Sequence, residues 1–313
     1  MRISVLVPSY RRPDLLLNCL RALENQSRQP DEVVVVLRDT DSDSRKSFDL
    51  FCARTRLPLK LVLVNRPGQM AALNAGMERV LGEVVCITDD DAEPLYDWIS
   101  RIESRFIRQA ALGGLGGRDH VHFGGVAAPT RRVDVVGKIQ WFGRTIGNHA
   151  QESVGAREVD CLKGCNMAFR TDLPLRFDER LRGDAYQNEV GICLAVKAAG
   201  RKLMYDPEIR VNHFMGARQY GTERAGLSAE RLSNNSHNHL LVRMEHMPVW
   251  QRLIYLAYTF TVGDQETPGL IKSIQLARGR PRESLEILTP SISGKLNGIS
   301  TWWRSRRPGA LPG

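Results

Sequence analysis

The sequence predicts an α/β protein: a single Rossmann-type, mostly parallel sheet with helices on both faces, followed by a helical C-terminal extension. Three observations carry this expectation. The first 110 residues alternate short apolar, β-rich runs with stretches of helical spacing, the pattern of parallel strands joined by crossover helices. Val33 to Leu37 is continuously apolar, as in a strand buried on both faces. From Ser228 onward apolar residues recur at helical intervals through Leu240, Leu241, Met244, Met247, Trp250, Leu253 and Ile254.

Taken in order, Ile3 to Val7 reads as the first strand, and Arg12 to Glu24 as a helix with Leu15, Leu16, Cys19, Leu20 and Leu23 on one face. Val33 to Leu37 is the second strand, Ser42 to Arg56 a helix, Leu59 to Val64 the third strand, and Gly68 to Leu81 a helix rich in small residues. Val84 to Thr88 and Pro94 to Gln109 follow as strand and helix. Gly113 to Gly125 holds six glycines without a clear period, and the chain to about Val159 reads as an irregular excursion. Regular signals resume at Cys161 to Phe169, with a helix at Gln187 to Ala199 and short strands at Lys202 to Tyr205 and Ile209 to Val211.

Of the 313 residues, 42% are hydrophobic and 25% charged, ordinary values for a globular chain with a sizeable core. The length suits about two domains, or one large α/β domain with additions. The net charge is +9, but eight basic and two acidic residues from Pro268 to Gly313 account for +6 of it. A near-neutral body with a basic tail argues against nucleic acid as the partner. The six cysteines are scattered, and the lone Cys161-x3-Cys165 lacks the second ligand pair of a structural zinc site, so free thiols in a reducing cytosol are expected. MRISVLVPSY is read as a strand rather than a signal peptide. No run reaches the ~18 apolar residues of a membrane span.

Asp89-Asp90-Asp91 directly follows the strand VVCIT. Adjacent carboxylates repel one another unless a cation or several donors neutralise them. The carboxyl end of a parallel strand is also where such sheets bind ligands. Oxygen ligands there suit Mg²⁺ or Mn²⁺, ions that share themselves with substrate phosphates. A solvated acidic turn capping the next helix is the alternative.

Several stretches then match in order: VPSYRRPDLLLNCLRAL, DEVVVVLRDTDSD, NRPGQMAALNAGMERVLGEVVCITDDD, GCNMAFR and QNEVGICLAVKAAGRKLMYDPEIRVNH. Over about residues 1–215 the chain resembles the family 2 glycosyltransferases, which have the GT-A fold. The resemblance implies a nucleotide-sugar-binding and catalytic domain over 1–225. A helical extension over 226–300 and a basic, disordered tail over 301–313 would follow. It implies a donor loop at Pro8, Ser9 and Tyr10, with Arg11 and Arg12 suited to a diphosphate. Where the family carries an acidic pair after the second strand, this chain has Leu37-Arg38, so Asp39 becomes the group that would hold the base. Asp41 and Asp43 are its rivals or simply helix caps. Arg66 would reach the phosphates, Gly68 would keep the next helix thin near the nucleotide, and Asn74 would offer an amide to the acidic turn or the sugar.

The family's D-x-D motif maps onto Asp89 and Asp91, with Asp90 between. Asp91 is then the direct ligand of Mn²⁺ or Mg²⁺, Asp89 contacts the ribose or sugar beside it, and His213 fits the place of the third ligand, a structural histidine being the alternative. Glu189, in place of the family's Asp, would be the catalytic base, with Asp184 as rival. Gly164, Cys165 and Asn166 would line the acceptor side. Trp98, Trp141 and Phe142 are candidate sugar-stacking surfaces or core. His120-x-His122 and His149 read as a polar loop rather than a metal motif. The implied partners are a nucleotide-diphosphate sugar and a glycan or lipid-linked acceptor. Peripheral membrane association would come through the C-terminal aromatics and basic tail. The implied location is cytoplasmic, at the inner face of the plasma membrane. The implied reaction is an inverting, metal-dependent sugar transfer. A sugar nucleotidyltransferase would need a Gly-rich basic loop after the first strand, which VPSYRRP is not. A non-catalytic nucleotide-sugar-binding or scaffold subunit is the alternative from another class.

Overall fold

A computed structural model describes residues 1–215 and 228–306. In chain order the elements are β1 (Ile3–Ser9), α1 (Pro13–Glu24), β2 (Glu32–Arg38), α2 (Ser42–Cys52), β3 (Leu59–Val64), α3 (Gln69–Met77), β4 (Val84–Ile87), β5 (Ala92–Pro94) and α4 (Trp98–Arg108). They continue with β6 (Leu112–Phe123), β7 (Val126–Ala127), β8 (Lys138–Ile139), β9 (Thr145–Ile146), β10 (Arg157–Glu158), β11 (Met167–Arg170), α5 (Asn188–Ala198) and β12 (Lys202–Met215). Four helices close the described chain: α6 (Ala229–His246), α7 (Val249–Thr261), α8 (Leu270–Leu276) and α9 (Pro281–Arg304).

The chain divides into two compact units. The first comprises Met1–Lys138, Ile146–Phe177 and Ile192–Tyr220, and the second Ile139–Thr145, Asp178–Gly191 and Gly221–Gly313. The boundary expected at 225/226 and the tail from residue 307 onward lie outside the described residues. The helix α9 runs through the expected boundary at 300 as far as Arg304.

The first unit is built on one sheet in the order β10-β12-β6-β11-β4-β1-β2-β3, with β5 added to β12 and β7 to β6. The strands β4, β1, β2 and β3 are mutually parallel, and β12 is parallel to β6. The intervening β11 is antiparallel to both its neighbours. Every residue of β1 is buried, which explains its unbroken apolar run. On the covering helices one stripe faces the sheet: Leu16, Cys19, Leu20 and Leu23 on α1, and Trp98, Ile99, Ile102 and Phe106 on α4.

The sequence reading fails in the middle of the chain. Residues 112–123, expected to be irregular, form the longest partner of β12, in the body of the sheet. The glycines are there because neighbours press close, not because the chain turns. A Cβ on Gly117 would lie 1.7 Å from the Ile209 carbonyl oxygen, and one on Gly114 2.6 Å from Leu203. His120 and His122 consequently sit on a strand, not in a polar loop. The two short strands expected at 202–211 are one strand, irregular between Asp206 and Arg210.

In the second unit α9 lies against α6. Cβ atoms on Gly294 and Gly298 would meet the carbonyl oxygens of Ser233 at 2.1 Å and His237 at 2.8 Å, so only glycine permits this approach. The interior is unusually polar: Asn235, Ser236, His237, Asn238, His239 and Arg243 of α6 are all buried. Many of their polar groups are matched: Ser236 pairs with Ser291, His239 Nδ1 with the Tyr255 hydroxyl, and Arg243 Nε donates to the Gly143 carbonyl. Lys295 Nζ donates to the carbonyls of Thr259 and Pro268 at 2.6 and 2.7 Å.

Candidate active site

The carboxyl ends of β1, β4, β6 and β12 point to one rim of the first sheet, and the acidic triplet lies there, after β4. The antiparallel β5–β12 register pairs Ala92 with His213, and Phe214 N–H donates to the Asp91 carbonyl at 2.7 Å. This ladder brings a histidine from near the end of β12 beside a carboxylate over a hundred residues earlier. His213 Nε2 stands 3.3 Å from Asp91 Oδ1, an oxygen that is buried and accepts no well-formed hydrogen bond.

The triplet is divided by partners. Asp90 accepts from the Ser9 hydroxyl at 2.7 Å and from Arg12 Nη1 at 3.1 Å. The same Arg12 nitrogen lies 3.1 Å from Asp91 Oδ2. Asp89 lies beside Gln69, the first residue of α3, whose amide is 3.5 Å away. Burial pushes the Asp90 carboxyl up to about 6 against the opposing pull of Arg12 and Ser9. For His213, desolvation opposes the charged form, but the close Asp91 carboxylate prevails and raises it above the ordinary histidine value.

Asp89, Asp91 and His213 each offer a ligand atom within 4.8 Å of the others. Two carboxylates and an imidazole, one carboxylate oxygen being a buried orphan, fit a hard or borderline divalent cation such as Mn²⁺ or Mg²⁺.

A cleft of about 370 Å³ opens at the ends of β2 and β3, lined by Asp39, Leu63, Val64, Asn65, Arg66, Ala71 and Ala75. Thus α3 touches both the cleft, through Ala71 and Ala75, and the acidic rim, through Gln69. Gly68 caps it at φ +105° with open space around it. Asp41 is buried and spent: it caps α2 through Ser44 N–H and accepts from Arg11 N–H. The Asp39 carboxylate stands 3.6 Å from Arg38 Nε and lies on the cleft. Tyr10 is exposed under the Arg11 guanidinium, while Pro8 is buried in the β1–β2 ladder.

Three residues expected near the site make structural contacts. The Asn74 amide clamps the Phe177 backbone, accepting at 2.8 Å and donating at 3.0 Å. Asn166 is buried and holds the sheet together, accepting from Trp98 Nε1 at 2.8 Å and donating to the Ile209 carbonyl at 3.0 Å. Trp98 is consequently core and not a stacking surface. Of the expected acceptor stretch, Gly164 is half-buried and Cys165 buried against His213. Sequence reasoning missed Gln69 and Asp119. A polar residue opening a helix beside an acidic turn could have flagged the first; the second stood in a stretch read as irregular.

The sequence profile described as "Glycosyl transferase family 2" matches residues 4–172, more than half of the chain. The chain belongs to glycosyl transferase family 2. This family 2 glycosyltransferase is 26% identical over 226 residues to the glucosyl-dolichyl phosphate glucuronosyltransferase of Haloferax volcanii, covering 68% of this chain and 69% of that protein. It superposes on GalNAc-T7, crystallised with UDP, GalNAc and Mn²⁺, with a TM-score of 0.65 at 14% identity, over 96% of this chain and 57% of that one. A mannosyltransferase from Pyrobaculum calidifontis, in complex with GDP-Man and Mn²⁺, gives a TM-score of 0.55 at 16% identity over 98% and 88%. The chain thus spans little over half of the first of these structures. At such identities the likeness is one of fold, and that fold is GT-A.

The two base candidates belong to the second unit. Glu189 lies half-buried in the first turn of α5, where the helix dipole favours an acid. Asp184 is exposed in the loop before it. That loop is strained, with Ala185 at φ 50° and Gln187 at φ 79°, left-handed conformations that non-glycine residues rarely adopt.

Proposed function

We propose that this glycosyltransferase moves a sugar from a nucleotide-diphosphate donor to an acceptor hydroxyl with inversion, dependent on a divalent cation held by Asp91, Asp89 and His213. The observation that carries the reading is the convergence of those three side chains at the sheet rim, with α3 bordering both them and the cleft of Asp39 and Arg66. When bound, the ion would supply charge stabilisation for the departing diphosphate.

The chain's own residues do the rest. Asp39 accepts a hydrogen bond from a ring N–H of the base, and Arg66 offers its guanidinium to the phosphates. Ser9 and Arg12 fix the Asp90 carboxylate, and through Arg12 the Asp91 carboxylate, so the ligand oxygens are oriented before substrate arrives. Glu189 takes the proton of the acceptor hydroxyl as its oxygen attacks the anomeric carbon and the diphosphate leaves from the opposite face. A single base and no covalent intermediate give inversion.

A lipid-linked acceptor in cell-envelope glycan synthesis suits the exposed apolar side chains Val249, Trp250 and Leu253 on α7, beside Arg252. Among the described residues no helix is long and apolar enough to cross a membrane. This reading places the protein peripherally, at the cytoplasmic face of the plasma membrane.

The test is a donor screen with UDP-, GDP- and dTDP-sugars and Mn²⁺ or Mg²⁺, followed by thermal shift and donor hydrolysis. A response that requires the ion and disappears in Asp91→Asn is expected. Glu189→Gln should keep the thermal shift and lose turnover by roughly 10²-fold or more, while Asp184→Asn keeps both. Turnover that survives Glu189→Gln would remove the base assignment, and an ion-independent response would remove the metal.

A further inference from the structure

Behind the acidic rim, the histidine proposed as a rim ligand faces a second set of ligand-class atoms. The strand order β12-β6-β11 brings together His213 of β12, Asp119 of β6 and Cys165 of the turn entering β11. His213 Nδ1 lies 3.4 Å from Cys165 Sγ, while its Nε2 faces Asp91. A carboxylate oxygen of Asp119, Cys165 Sγ and an imidazole nitrogen lie within 4.8 Å of one another. All three residues are buried, and Asp119 is only 1% exposed. Neither Asp119 oxygen has a well-formed hydrogen bond. A carboxylate sealed from water without such a partner is costly, and a cation between these side chains removes the cost.

The donor set differs from that of the rim. One sulfur, one imidazole nitrogen and one carboxylate suit a borderline-soft ion of the zinc type, whereas two carboxylates and an imidazole suit Mn²⁺ or Mg²⁺. We propose that Asp119, Cys165 and His213 Nδ1 form a second, buried site for a thiophilic divalent cation, and that this site competes with the rim for His213. Binding replaces the Cys165 S–H bond by a sulfur–metal bond, and the proton leaves to solvent. A neutral imidazole has one bare nitrogen. If Nδ1 takes the ion, Nε2 carries the proton and turns from ligand to donor toward Asp91. The two sites therefore weaken each other reciprocally. The site itself stands independently of the rim; the competition rests on the proposed rim ligands.

The test titrates the full chain with Cd²⁺ in the absence of Mn²⁺ and follows thiolate-to-metal charge-transfer absorption. One equivalent should develop the band. The band should vanish in Cys165→Ser and need roughly tenfold more Cd²⁺ or beyond in Asp119→Asn. It should persist in Asp89→Asn and in Cys52→Ser, which removes the exposed cysteine. No band in the folded protein, or a band surviving Cys165→Ser, overturns the site. Mn²⁺ binding followed by electron paramagnetic resonance tests the second half: Zn²⁺ should release Mn²⁺ from the unaltered protein at lower concentration than from Cys165→Ser, where it can act only by taking the rim itself. Bound Mn²⁺ that Zn²⁺ fails to displace overturns the competition. Failure of Mn²⁺ to bind without any Zn²⁺ would instead overturn the rim ligands and leave the cadmium result standing.

Discussion

Individual polar side chains in this protein divide between those that hold the sheet and those left facing the rim. Asn74 and Asn166 belong to the first group. Asn166→Ala would strip partners from the Trp98 indole N–H and the Ile209 carbonyl inside a dry core. Each orphaned group costs roughly 1–3 kcal/mol. Urea unfolding should therefore show a loss of about 2 kcal/mol or more. Asn74→Ala should lose a comparable amount through Phe177, while nucleotide affinity in the folded fraction stays unchanged. A selective loss of nucleotide binding in Asn74→Ala would return that amide to the donor site. Asp41 and Asp39 make the same contrast: one is consumed by its helix cap, the other lies on the cleft.

Among the elements, β6, like α9, carries glycines demanded by packing. Gly117→Ala would drive a Cβ to 1.7 Å from a backbone oxygen that cannot rotate away. We expect a loss of about 3 kcal/mol or more, or no soluble protein. On Gly191, in α5, an added Cβ would meet only Val242, at 3.7 Å. Gly191→Ala should stabilise by about 0.5–1 kcal/mol through helix propensity. Paired thermal melts of the two variants distinguish packing from backbone freedom, since an equal effect would contradict the close approach of β6 to β12.

Over the whole molecule, charge and exposure set two further expectations. His239 is buried in the second unit, chiefly desolvated and also opposed by Arg243, so its pKa falls below the ordinary histidine value. Asp264 pulls the other way. The unfolded chain takes up a proton that the folded unit refuses. Its stability contribution is thus present above about pH 6.5 and lost as pH falls below it. Replacing His239 by Gln should flatten the pH dependence of unfolding by one proton, about 1.4 kcal/mol per pH unit in that window. An unchanged slope would contradict the assignment. On the outside, Trp250→Ser with Leu253→Ser should reduce sedimentation with anionic vesicles without changing hydrolysis of donor in solution. Equal sedimentation would argue against α7 as the membrane face.

Reading along the chain yields the alternation of strands and helices, the acidic turn after β4, and a family resemblance that points to His213 beside that turn. These are local or ordered signals: apolar period, a carboxylate cluster, and motifs read along one chain. The fold makes residues 112–123 a strand, because their glycines answer to Ile209, Leu203 and Phe169, which are distant in sequence. It also decides which amides are consumed, as Asn74 and Asn166 are, and that Asp119 stands beside Cys165 and His213. Those outcomes depend on which strands become neighbours in the sheet, and strand order is a property of long-range pairing that no window of the sequence contains.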